Sequence, residues 1–289
     1  MDRIYERASI IMPTKHAKSL AVAPAFFNIL GSNILEYVLD TDTLGTFSGE
    51  VERLGSSIDC ARRKCTWALE ILGDKVDYVL ASEGSFGPHP AIPFIACNEE
   101  ILYFIDRKRG FHLHLRILSE KTNYHMQVAD TWDEILDFAH SATFPSHGLI
   151  MRPNNRNEPG FLFKGILNKQ LLKDAFAKCS SQSKDGKVWV QTDMRAHMNP
   201  SRMTVIGELA EKMARRLNTL CPSCKTPGWG QVGVEKGLPC EYCHQPTDMV
   251  SHDVFGCVLC DHQEVFLRTD EVKGGIKLAP QMYCMICNP

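Results

Sequence analysis

At 289 residues, with 44% hydrophobic and 23% charged residues, the chain is long enough for one large domain plus a small one and has the composition of a globular protein. Its net charge of −2 gives no global pull toward nucleic acid or an anionic membrane. The charged opening Met1–Arg7 has no apolar signal core, no apolar run approaches the ~18 residues of a membrane span, and twelve cysteines without a secretory signal predict a cytoplasmic protein that uses them for metal rather than disulfides.

Ala8–Met12 reads as a buried first strand, followed by a basic loop, Pro13 to Lys18, and a helix reaching Leu30. Pro24 suits that helix's first turn, and Gly31 is a natural stop. Lys15, His16 and Lys18 beside a helix N-terminus are candidates for phosphate binding; the alternative is a solvated basic loop. A second strand, Leu35–Leu39, leads into Asp40-Thr41-Asp42-Thr43-Leu44-Gly45-Thr46-Phe47-Ser48-Gly49-Glu50. A helix is expected from Ser57 to Leu72, capped by Ser56 or Ser57, with Ile58, Ala61, Cys65, Leu69 and Leu72 on one face. Asp59, Arg62 and Arg63 lie opposite.

A third strand, Val76–Leu80, leads into Ala81-Ser82-Glu83-Gly84-Ser85-Phe86-Gly87-Pro88-His89-Pro90. The two long stretches read as loops leaving the same end of neighbouring strands, where α/β sheets bind ligands. Glycines 45 and 84 allow close backbone approach; Thr43, Thr46, Ser82, Ser85 and His89 offer hydrogen bonds; Asp40, Asp42, Glu50 and Glu83 supply carboxylates. Glu99–Asp106 and Phe111–Leu118 form a hairpin in which His112, His114 and Arg116 share a polar face. A helix at Thr131–His140, strands at His147–Arg152 and Phe161–Ile166, a helix at Lys169–Cys179 and a strand at Val188–Thr192 follow. That last strand runs into Asp193, Arg195, His197, Asn199 and Arg202. Asn199-Pro200 opens a strong helix with Met203, Ile206, Leu209, Met213 and Leu217 as its stripe, and its N-terminus is a second candidate anion seat.

From Cys221 the composition changes. Cys221/Cys224, Cys240/Cys243, Cys257/Cys260 and Cys284/Cys287 are four C-x-x-C pairs, the number for two closed, structural Zn²⁺ sites of four thiolates each. Sequential pairing and a cross-braced pairing, first with third and second with fourth, both fit the spacing. His244, His252 and His262 are surplus. Residues 219–289 hold five Lys/Arg and eight Asp/Glu, a net of −3, which disfavours nucleic acid and favours a protein partner or docking within the chain. Cys60, Cys65, Cys97 and Cys179 read as small core residues.

The chain resembles an uncharacterised, mostly bacterial family marked by a Lys-His-Ala/Gly-Lys opening (Lys15–Lys18), the stretches Asp40–Glu50 and Ala81–Pro90, and a cysteine-rich tail ending at Tyr283–Pro289; the resemblance brings no activity with it. In its strand and helix order it is also similar to the inosine/xanthosine triphosphate pyrophosphatases. Asp59-Cys60-Ala61-Arg62-Arg63-Lys64-Cys65 matches part of that group's acid-led helix, and Ser82-Glu83-Gly84 its acidic glycine loop. Cys60 stands in place of an amide, and the Asp-Asp-Ser-Gly loop is missing.

The expected architecture is an α/β domain over residues 1–218, built on a mixed twisted sheet flanked by helices, with a two-zinc ribbon over 219–289. The expected function is a Mg²⁺-dependent phosphohydrolase acting on a nucleotide or related phosphate compound. Glu83 with Asp59 or Glu50 would hold Mg²⁺, and Asp40 or Asp42 would orient water. Lys15, Lys18, Arg62 and Arg202 would neutralise phosphate, and His197 would donate a proton or hydrogen bond. The alternative is a non-catalytic adaptor that binds a small ligand or a protein partner through the zinc-stabilised tail.

Overall fold

The computed structural model describes residues 4–40, 55–154, 162–268 and 277–289. It divides into two compact units, Met1–Lys108 with His112–Ala214, and Arg109–Phe111 with Arg215–Pro289.

The first unit opens with β1 (Ser9–Pro13), α1 (Ser19–Leu30), β2 (Asn33–Tyr37), α2 (Ser57–Leu72), β3 (Tyr78–Pro88), β4 (Ala96–Asp106) and β5 (Phe111–Ser119). These strands form a mixed twisted sheet in the order β2-β1-β3-β4-β5. β1 runs parallel to β2 and β3, so the chain leaves all three in the same direction, while β4 is antiparallel to β3. Pro24 lies inside α1, not in its first turn. Leu20, whose carbonyl a proline cannot serve, is itself exposed. α2 starts where its capping chemistry dictates: Ser56 Oγ accepts from Asp59 N, and the Asp59 side chain returns a bond to the Ser56 backbone. Its face of Ala61, Cys65 and Ala68 packs on Val79, Ala81, Ile101 and Tyr103.

Most of the stretch Ala81–Pro90 is not a loop, and because β1 lies between β2 and β3 the two long stretches do not follow neighbouring strands. β3 continues through it to Pro88, paired residue for residue with β4. Small and polar residues can run on as a strand here because each polar side chain finds a partner in the layers above and below the sheet. The even-numbered residues from Ser82 to Phe86 share one face with Asn98 and Glu100, and Glu83 and Ser85 share the other with Ile101. His112, His114 and Arg116 are exposed, as their alternation predicts, while Phe111 and Leu113 are buried.

A second sheet follows. β6 (Met126–Ala129), α3 (Trp132–Ser141), β7 (Leu149–Pro153), β8 (Phe163–Ile166), α4 (Lys169–Gln182) and β9 (Val188–Thr192) give four antiparallel strands in the order β6-β9-β7-β8. α3 and α4 close its core with Ile135, Phe138, Leu172, Ala175 and Cys179 against Leu149, Met151, Val188 and Val190. β6 escapes the sequence reading because it is four residues long with no strict alternation. α5 (Pro200–Leu217) then passes α1, with Gly207 facing the Ala21 carbonyl. No described helix is long and apolar enough to cross a membrane.

The second unit is an antiparallel sheet, β10 (Gly230–Lys236), β11 (Val250–Gly256) and β12 (Gln263–Leu267), carrying the cysteine turns. Arg216, on the last turn of α5, secures its start by donating to the carbonyls of Gly228 and Gln231.

Candidate functional site

The loop between β1 and α1 is the hub of the first unit. Lys15 pairs with Asp40, three residues past β2. His16 stacks on His197 at 5.1 Å, which brings the turn after β9 beside the ends of β1 and β2. Lys18, at the N-cap of α1, turns inward and donates from Nζ to the Ser82 carbonyl at 3.0 Å and the Ser82 hydroxyl at 3.3 Å. Ala17, between them, has φ 52°, a left-handed conformation that a glycine would take without strain.

Lys18 is 3% exposed and hydrogen-bonds no carboxylate among the described residues. Burial, with the Arg202 and Lys64 charges next in importance, pulls its pKa from 10.5 to about 7. Around it lie two buried ion pairs, one on each face of the sheet. On the α2 face Lys64 meets Glu83 at 3.1 Å. On the α1 and α5 face Arg202 Nε donates to Glu100 Oε1 at 2.6 Å, Nη2 to Oε2 at 3.3 Å, and Nη1 to the Met194 carbonyl at 2.6 Å. Gly84 faces that pair. A Cβ there would sit 2.7 and 2.9 Å from the Glu100 carboxylate oxygens and inside contact of Arg202 Nη2. The cluster thus holds three cations, Lys18, Lys64 and Arg202, against two carboxylates, Glu83 and Glu100, which leaves a desolvated excess of positive charge when Lys18 is protonated.

The remaining predicted residues are spread around this cluster. Ser85 hydrogen-bonds Ser57 at 2.7 Å on the α2 face. Asp59 is half-buried at the start of α2, where Ser56 and then Arg62 (3.2 Å) hold it; the Ser56 hydroxyl keeps its carboxyl below the usual range. His89 sits in the turn after β3, its Nδ1 accepting from Ala91 N and Ile92 N. Asp193 is fully buried, bonded by Gly165 N and clamped by Arg195. His197 stays neutral more readily than a free imidazole, because burial and then Arg195 lower its pKa. Asp42, Thr43, Gly45, Thr46 and Glu50 lie outside the described residues. The α5 N-terminus is spoken for: Ser201 N donates to His147 Nε2 and Arg202 N to Asn199 Oδ1, so the N–H groups expected to seat an anion serve these caps instead.

Sequence reasoning missed Lys64, Glu100 and His147. Lys64 had a readable signal, since it falls inside the small apolar face of α2 beside Ala61, Cys65 and Ala68, where a lysine must find a partner. Glu100 and His147 had none, because their partners are 102 and 54 residues away.

The metal centres are clear in their donors. Cys221, Cys224, Cys257 and Cys260 form one group, and Cys240, Cys243, Cys284 and Cys287 the other; the sulfurs of each lie within 4.8 Å of one another. The pairing is therefore cross-braced. Cys221–Cys260, Cys224–Cys257 and Cys243–Cys284 stand 3.8, 3.5 and 3.6 Å apart. A tetrahedral ion with Zn–S near 2.3 Å needs about 3.8 Å between sulfurs, so each group can hold a zinc ion and neither leaves a ligand position open. His262 stacks on Trp229 at 5.3 Å, outside both groups. Among the described residues no carboxylates gather in the same way. Glu83 is taken by Lys64, Asp59 by Ser56 and Arg62, and Asp40 by Lys15, so these side chains as placed do not fit a Mg²⁺ site. Cys60, Cys65, Cys97 and Cys179 are buried, and burial raises the thiol pKa of the last three, to about 12 for Cys179.

No curated protein matches this chain. A family model described as "Domain of unknown function (DUF6671)" matches residues 64–289, a span that takes in the Lys64–Glu83 and Glu100–Arg202 pairs and all eight metal-binding cysteines. The chain belongs to that family.

Proposed function

We propose that the first unit binds a phosphate-containing compound, a nucleotide or a relative of one, at the loop between β1 and α1, and hydrolyses it. The observation that carries this reading is Lys18, a buried lysine at a helix N-terminus, held by uncharged partners in a cluster where cations outnumber carboxylates. Such a lysine lacks a counter-charge at neutral pH. An arriving phosphate oxygen would supply one and restore its proton, and the α1 dipole would add to the attraction.

The loop and the residues that meet it provide the remaining roles. The Ser82 hydroxyl would hydrogen-bond a second oxygen. Lys15, exposed and paired with Asp40, would swing to the ligand. Asp40, freed from Lys15, would orient the attacking water and accept its proton. His197, neutral and with the His16 ring against it, would donate a hydrogen bond to the departing oxygen. Neutralising charge on the transferred group is most of the task in phosphoryl chemistry.

The test is release of phosphate and pyrophosphate from a panel of nucleoside triphosphates by zinc-loaded protein, with and without Mg²⁺. Turnover of at least one compound, lost in Lys18→Met and reduced in Asp40→Asn, is expected. A flat panel, together with no detectable binding of inorganic phosphate by calorimetry, would sink the reading.

A further inference from the structure

The second metal group of the tail carries a surface that its own fold does not use. Tyr242 stands between Cys240 and Cys243, and Met285 and Ile286 between Cys284 and Cys287. Their exposures are 75%, 72% and 67%, with Met282 at 66% and Tyr283 at 52% just before the last cysteine pair. The four sulfurs draw these turns together. The backbone does so too: Glu241 N donates to the Ala279 carbonyl, and Gln281 N to the Glu241 carboxylate at 3.0 Å. Five large apolar or amphipathic side chains therefore crowd two adjoining turns in water. Tyrosine and methionine are the types enriched where protein surfaces meet.

The charge around this patch chooses the occupant. The side chains of the whole second unit balance, since Arg109, Arg215 and Arg216 offset the acidic excess of residues 219–289, but the local charge is negative: the Glu241 carboxylate lies inside the patch, and a zinc ion bound by four thiolates leaves two further negative charges at its centre. An anionic membrane or a nucleic acid would be repelled, and a second copy would bring the same acidic face against itself. We propose that this face holds a peptide segment of another protein in which lysines or arginines flank a large apolar anchor. The anchor would pack among Tyr242, Met285 and Ile286, and the basic residues would lie against Glu241 and the thiolate-bound metal. This surface is independent of the anion site in the first unit.

The experiment is selection of a displayed random dodecapeptide library on the zinc-loaded full chain, with Ile286→Ser protein as the counter-target. Inductively coupled plasma measurement of two zinc ions per chain would establish that the variant is intact, and Tyr242→Ser serves if it is not. Enrichment of peptides with a basic-flanked apolar anchor is expected. Binding of the consensus peptide by fluorescence anisotropy should weaken at least about tenfold in Ile286→Ser, and should weaken with added salt. Enrichment of acidic peptides, no enrichment over the counter-target, equal binding by an intact variant, or preferential binding to anionic vesicles would each overturn the proposal. So would a concentration-dependent dimer abolished by the same substitution.

Discussion

Replacing Lys18 by methionine gives a direct reading of the buried cluster. Methionine keeps most of the side chain's length and removes the charge. In the fold the Lys18 pKa is about 7, against 10.5 for a free lysine. The unfolded chain therefore holds a proton that the folded chain gives up between those values, and stability rises with pH across that window. Below pH 7 both states are protonated and the full penalty applies, roughly 5 kcal/mol at about 1.4 kcal/mol per unit. Above 10.5 it vanishes. Lys18→Met carries no such penalty, so it should unfold at higher urea than the parent at neutral pH, less any constant cost of leaving the Ser82 carbonyl unbonded. That constant does not depend on pH, so the slope isolates the charge. Between pH 7 and 9 the parent should gain about 2 kcal/mol on the variant, and between pH 5 and 6 the two curves should run nearly parallel. Urea unfolding at fixed zinc concentration, followed by circular dichroism from pH 5 to 9.5, measures the gap. Parallel curves over the whole range would show that Lys18 keeps an ordinary pKa, and the argument for an uncompensated buried lysine would fail.

Gly84→Ala should destabilise by about 3 kcal/mol, because the new methyl group must displace a buried Arg202–Glu100 pair; a melting temperature unchanged in calorimetry would contradict that packing. Cross-bracing makes a prediction about metal counts: Cys221→Ser/Cys257→Ser should retain one zinc ion per chain, whereas Cys221→Ser/Cys240→Ser should retain none. The reverse result would establish sequential pairing. His147 accepts from Ser201 N while neutral, and burial lowers its pKa from 6.5. Its contribution is therefore complete above pH 6.5 and is lost as pH falls below that value toward the folded pKa. His147→Gln should flatten the stability profile between pH 6.5 and 5, at a cost of about 1 kcal/mol at pH 8; an unaltered acid limb in thermal melts would refute the assignment.

The sequence by itself determined what is local. The span of α2 follows from its capping serine and the apolar face from Ile58 to Leu72; the position of β9 from the run Val188–Thr192; the two metal sites from four C-x-x-C pairs. In each case the stabilising contacts lie within a few residues, so composition and spacing carry the information. The direction of the strand ends was also legible, since strand-helix-strand order implies parallel β1, β2 and β3.

Tertiary structure alone decided the rest. Ala81–Pro88 has the composition of a loop and becomes a strand because Lys18, Lys64 and Arg202, distant in sequence, meet polar groups on the two faces of β3 and β4. Arg202, which reads as a free phosphate ligand at a helix start, is spent on Glu100, 102 residues away. Lys18 is singled out only because its neighbours took the carboxylates. The cysteine pairing was open for the same reason: a two-residue gap fixes which sulfurs share a turn, and only the path of β10, β11 and β12 fixes which turns share an ion. Long-range partner choice is settled by three-dimensional competition for charge and hydrogen bonds, and no local spacing records its outcome.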